Sequence, residues 1–177
     1  MSEPEAEPHA ALVLRPPRHR VDPRARRWWA AQALLTLSGP MLLTALVMAV
    51  LSVLFFPGAL PWLGPLLLVV LVVPGLGYLL VMPRWRYAVH AWELGERAVY
   101  AAGGWFWQKR RIAPLSRVQT VDTVRGPLQR RYGLATVTVT TASTAGDIKI
   151  AGLSDADAEE LSRRIGEAAQ QVPGDAV

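Results

Sequence analysis

Fifty-six consecutive residues, Trp28 to Pro83, contain no Asp, Glu, Lys, Arg or His. One helical crossing of a bilayer needs about 20 apolar residues, so this stretch has length for two. Pro and Gly gather in its middle, at Pro57-Gly58-Ala59-Leu60-Pro61-Trp62-Leu63-Gly64-Pro65, and mark a turn. The reading is a transmembrane hairpin over residues 28–83, with spans at about 28–56 and 62–82. Two core helices of a soluble protein would each show a polar face, and neither segment has one. Gly39-Pro40 predicts a kink in the first span, because proline removes a backbone hydrogen bond and crowds the preceding turn. Pro74-Gly75 and Gly77 make the second span irregular; Gly75 and Gly77 leave room for a small-residue contact between the spans, but the usual small-xxx-small spacing is missing.

Arginine sets the orientation. Arg24, Arg26 and Arg27 precede the first span, Arg84 and Arg86 follow the second, and the turn between them has no charge. Positive flanks stay on the cytoplasmic side, so the expectation is a multi-pass inner-membrane protein with both termini cytoplasmic. Trp28, Trp29 and Trp85 then fall at the inner interface and Trp62 at the outer one, a depth that amphipathic rings favour.

Residues 1–27 read as a disordered basic tail, rich in Pro, Glu, Ala and Arg and without apolar periodicity. Early acids and an overlong apolar segment argue against a cleavable signal peptide, and Ser2 after Met1 argues against myristoylation. Residues 84–170 read as one cytoplasmic domain and 171–177 as a tail. Strands are expected near Tyr87–Trp92, Ala98–Ala102, Trp107–Ala113, Val118–Val124, Ala135–Thr141 and Ile148–Ala151, which suggests a mainly β fold. In Thr136-Val137-Thr138-Val139-Thr140 the valines should face inward and the threonines outward. Gly103-Gly104 and Ala145-Gly146-Asp147 resemble hairpin turns, and Gly126-Pro127 breaks the run between two strands. Ser154 is a suitable N-cap for a last helix, with Asp157 three residues on. Ala158, Leu161, Ile165 and Ala168 form the stripe that this helix would lay on the sheet.

Several runs resemble the bacterial pleckstrin-homology domain of YdbS-like membrane proteins. They are Trp92-Glu93-Leu94, Gly103-Gly104, Pro114-Leu115-Ser116-Arg117-Val118-Gln119, Val137-Thr138-Val139-Thr140-Thr141-Ala142 and Ile150-Ala151-Gly152-Leu153. The most specific is Gly126-Pro127-Leu128-Gln129-Arg130-Arg131-Tyr132-Gly133-Leu134-Ala135. The layout of two spans followed by one domain is also similar. The resemblance implies a pleckstrin-homology-like domain, a bent antiparallel sheet or partial barrel capped by a C-terminal α-helix. It implies no catalytic activity. The turn Leu94-Gly95-Glu96-Arg97, where eukaryotic relatives hold phosphoinositides with basic residues, carries as much acid as base.

Chemistry is sparse. There is no Cys, so thiolate metal sites, disulfides and a Cys nucleophile are excluded. His9, His19 and His90 are widely scattered, and Ser143 and Ser154 lack an elbow motif. No enzyme activity, cofactor or metal is expected. The net charge of +5 is uneven. From Arg84 to Arg131 there are ten Lys/Arg against three acids, and from Tyr132 onward three against seven. Candidate lipid or partner contacts are Lys109, Arg110, Arg111, Arg117, Arg130 and Arg131, with Phe106. A solvated strand edge would carry such charges too. Trp105, Phe106 and Trp107 on one strand would alternate, the two tryptophans inward and Phe106 outward, with the outer face covered by the last helix or by a second copy. Stacking aromatics for nucleic acid are not evident, so none is expected. The expected partners are membrane lipids through the two spans and an unknown protein or a second copy. The function read from the sequence is a non-enzymatic membrane-anchored scaffold for protein–protein interaction or self-association. The alternative is an adaptor that senses anionic lipid at the inner membrane face.

Overall fold

The computed structural model describes residues 17–142 and 146–171. The tail before residue 17, the end of the chain after 171 and part of the turn at Ala145-Gly146-Asp147 lie outside the described residues. A short strand, β1 (His19–Arg20), precedes a 31-residue helix, α1 (Ala25–Phe55), which runs unbroken through Pro40. The second long helix starts after a turn at Pro57–Ala59. It comprises α2 (Leu60–Leu67), a π-helical turn at Leu68–Val72 and α3 (Val73–Val89). The widened turn comes immediately before Pro74, whose ring would crowd the carbonyl one regular turn back, and the π geometry relieves that crowding. Both long helices are apolar enough to cross a membrane. They pack against each other, and Gly75 faces Met41 closely enough that a Cβ there would lie 3.3 Å from the Met41 sulfur. Gly77 touches nothing on that side.

The second helix extends past the expected boundary. Tyr87, Ala88 and Val89 continue α3 and are not part of a strand, so the first domain strand is β2 (Ala91–Leu94). β3 (Ala98–Gly103), β4 (Lys109–Pro114), β5 (Val118–Val124), α4 (Pro127–Tyr132), β6 (Leu134–Thr141), β7 (Ile148–Ser154) and α5 (Asp155–Gln171) follow. Two antiparallel sheets result, in the orders β1-β2-β3-β4 and β5-β6-β7. The β1 strand corrects the expectation of a disordered tail up to Arg27. His19 pairs with Trp92 and Arg20 with Ala91, and the His19 ring stacks on Trp92 at 5.0 Å.

Val137 and Val139 face the core, and Thr136, Thr138 and Thr140, which alternate with them, are half-buried, as the alternation predicts. Ala158, Leu161 and Ile165 are buried, and Ala168 packs beside them. Ser154 caps α5, its Oγ accepting the Asp157 N–H at 3.1 Å while its hydroxyl donates to the Asp157 carboxylate. These residues join Val99, Leu115, Ile148, Ile150 and Leu153 in the domain core, with α5 laid over β5, β6 and β7.

A second core joins the domain to the long helices. Val21, Ala25, Trp29, Ala33, Met82 and Leu134 are buried together, with Trp28, Tyr78, Tyr87, Trp92 and Tyr132 around them. The run Gly126 to Ala135 builds this joint. Its helix α4 was not foreseen, although Pro127 at the first helical position and Gly133 just past the end are the usual signals. The Gln129 side chain accepts the Gly126 N–H at 2.9 Å and donates to Thr136 Oγ1 at 2.7 Å. The second bond ties α4 to β6, and α4 also packs against α1.

Candidate functional site

Where α3 ends, its last turn and the β3–β4 hairpin enclose a groove of about 840 Å³. Arg86 and His90 form one wall. Lys109 and Arg111 from β4 and Lys149 from β7 reach it from the other side, and Ala101, Thr136, Ile148 and Ala151 line it from the sheets. Four cationic side chains line the groove against one carboxylate, Asp147, so the groove favours an anion. An Arg111 N–H donates to the Asp147 backbone carbonyl, so even this contact leaves the carboxylate free of that guanidinium.

Burial shapes the wall at Arg86. Its guanidinium lies 4.8 Å from the centre of the Trp29 ring, a cation–π contact between the two long helices. Its Nε is buried and has no protein partner. His90 is not on a strand and not on the surface. It follows the last residue of α3, is buried, and packs 4.8 Å from Trp29. Its Nδ1 donates to the Arg86 carbonyl at 2.7 Å, leaving Nε2 to face the Gly104 N–H at 3.5 Å. Desolvation, followed by the nearby Arg86 charge, holds the His90 pKa below its ordinary value, against the pull of the backbone hydrogen bond.

Gly103 and Gly104 close the hairpin for steric reasons. A Cβ on Gly103 would lie 3.1 Å from His90 Nε2. Gly104 has φ +115°, and a Cβ there would sit 2.0 Å from the Trp107 carbonyl oxygen. The next three residues are therefore the tip of a loop, not part of a strand. Phe106 is 74% exposed and Trp107 76%, so neither is covered by α5, and the expected inward placement of both tryptophans does not hold. Trp105 is 37% exposed because it meets Tyr78 of α3 edge-on, ring centres 5.3 Å apart.

The structure brings Lys109, Arg111 and Phe106 together at one groove. Arg110, the intervening strand residue, turns to the other face beside Arg18 and Arg20. Arg117 lies beyond the far end of β4, and its carbonyl accepts the Ala142 N–H at 3.1 Å. Arg130 and Arg131 are on α4, against α1. Sequence reasoning grouped Arg84 and Arg86 with Lys109 and Arg111 as a headgroup contact, and it did not name Lys149 or Tyr78. Arg86 was visible as a flanking charge, whereas Lys149 and Tyr78 reach the site only through tertiary packing.

A model of the bacterial PH domain family matches residues 33–169 of the chain. The UPF0699 transmembrane protein YdbS of Bacillus subtilis (strain 168) is 32% identical over 142 residues, which covers 80% of this chain and 87% of that protein. No solved structure matches the chain.

Proposed function

This chain belongs to the bacterial PH domain family, and from that premise we propose a non-enzymatic inner-membrane adaptor, both termini cytoplasmic, whose domain engages anionic lipid headgroups. The observation that carries this reading is the position of the cationic groove. Arg86, three residues past the last residue of the charge-free stretch, converges with Lys109, Arg111 and Lys149 at the last turn of the second apolar helix. A helix that leaves a bilayer there brings the groove to headgroup level. Arg26 and Arg27 at the start of α1 and Arg130 and Arg131 on α4 add positive charge around the same base, while Arg24 is paired with Asp22. Each basic residue near an anionic surface contributes about 1 kcal/mol, so the set orients the domain while the spans anchor it.

The experiment is lipid retention. The full chain is extracted from mixed phosphatidylglycerol and phosphatidylcholine membranes in mild detergent, and the lipids that stay bound are quantified by mass spectrometry. Enrichment of the anionic lipid is expected. It should fall about tenfold in Lys109→Glu with Arg111→Glu and weaken with salt, since the Debye length is about 8 Å at physiological ionic strength. Unchanged enrichment in the double variant contradicts the headgroup reading.

A scaffold for a protein partner or a second copy is supported by a different feature. β5 is the end strand of its sheet, with no strand on its outer side among the described residues. Such an edge can accept a strand from another chain. The two readings use different surfaces, so charge reversal in the groove separates them.

A further inference from the structure

We propose that the Trp105-Phe106-Trp107 loop is a membrane wedge, which buries its rings at the headgroup–acyl boundary of the leaflet facing the domain. The proposal rests on the membrane-anchored reading above but not on any headgroup preference. Depth is the first argument. Trp105 contacts Tyr78, which lies inside the charge-free stretch. Tyr78 is six residues before Arg84 and eight before Arg86. At 1.5 Å per helical residue, the loop reaches about 9 Å past the first charge and about 12 Å past the second. Neighbouring Leu76, Leu80 and Val81 on the same helix are exposed, which in a membrane protein means that they face lipid. The loop tip shares their depth.

Composition is the second argument. No charge occurs in β3 and the loop that follows it, from Ala98 to Gln108. Phe106 packs edge-on to Trp107 at 5.4 Å and against Trp105 at 6.2 Å, so the rings form one apolar knob. Lys109 follows two residues after the knob. Rings first and a cation next match the order of the acyl boundary and headgroups along the membrane normal. Indole rings favour this depth, because the ring body is apolar while its N–H can reach a polar partner. Irregular backbone is disfavoured deeper in the hydrocarbon, which limits the wedge to the boundary. The Gly103-Gly104 base and its contact with His90 fix the loop beside α3 before lipid is met.

The chain has no Cys, so Phe106→Cys, Trp107→Cys and Arg97→Cys each give a unique site for an environment-sensitive NBD dye. Arg97 is exposed in the opposite, β2–β3 turn. The full chain is placed at one copy per nanodisc in neutral phosphatidylcholine. Dyes at Phe106 and Trp107 should emit to the blue of the Arg97 dye. Lipids spin-labelled high on the acyl chain should quench them at least twofold more than the Arg97 dye, and aqueous iodide at least twofold less. Iodide quenching equal to that at Arg97 overturns the proposal. Protection that appears only with two copies per disc also overturns it, and assigns the loop to a contact between copies. Neutral lipid is used so that failure of the headgroup reading and failure of the wedge are read separately.

Discussion

Ala25, the first residue of α1, packs directly on Gly152 of β7, so closely that a Cβ on Gly152 would lie 2.8 Å from the Ala25 Cβ. Gly152 has φ +86°, a conformation that side chains rarely adopt, and its carbonyl accepts the Asp22 N–H at 2.9 Å. The domain is therefore seated on the base of the first helix through backbone contact. Gly152→Ala combines a strained φ with a steric clash and should destabilise the full chain by about 1–3 kcal/mol. Thermal unfolding in detergent measures it. Adding Ala25→Gly should restore the part due to the clash, and no recovery would mean that the two residues do not touch.

Leu161 is buried where α5 crosses the sheet. Leu161→Ala should cost about 2–5 kcal/mol, as at other buried leucines. The same unfolding measurement applies, and a change near zero would mean that α5 is undocked.

His90 predicts a pH dependence. Its folded pKa lies below the unfolded value of 6.5, chiefly through desolvation. Above about pH 6.5 both states are neutral and His90 contributes no slope. Below it the unfolded state binds the proton more readily, so stability falls with pH until the folded pKa is passed. His90→Gln should flatten the melting-temperature profile between pH 7.5 and 5.5. Asp22 and Glu160, held low mainly by hydrogen bonds from Arg24 and Arg163, act in a separate window below about pH 4.5. Equal slopes in wild type and variant would contradict the His90 assignment.

Topology is tested with two thiols. A Cys at Gly58, in the turn between the long helices, should react with an impermeant reagent added outside intact cells. One at Glu96, in the β2–β3 turn, should react only after the membrane is opened. The reverse pattern contradicts the orientation drawn from the flanking arginines.

The hairpin, the sheet and the last helix were legible because each depends on local patterning. The Val/Thr alternation and the Ala158–Leu161–Ile165 stripe each report a single buried face, and the absence of charge over 56 residues reports helices that are apolar on every side. The joint between domain and helices was not legible. It consists of contacts distant in sequence, such as Asp22 with Gly152, His19 with Trp92 and Tyr78 with Trp105. Periodicity carries no signal for these. The aromatic run looked like strand because aromatics favour strands. The Gly103-Gly104 turn, forced by contact with His90 and the Trp107 carbonyl, moved the three rings into the loop. Only part of the basic set forms the groove, because alternation along β4 separates Arg110 from Lys109 and Arg111, while α3 and β7 supply Arg86 and Lys149.

The central claim is that the domain sits on its own helices with the aromatic loop beside α3, and the Tyr78–Trp105 pair tests it most directly. Tyr78→Cys with Trp105→Cys places the only two thiols of the chain where ring centres stand 5.3 Å apart. A short bis-thiol cross-linker is applied to the full chain in native membranes, diluted so that copies rarely meet, and the linked peptides are identified by mass spectrometry. The account predicts a fast intramolecular link, and a slow one when Arg97→Cys replaces Trp105→Cys. No link, or links formed only between copies, would contradict it.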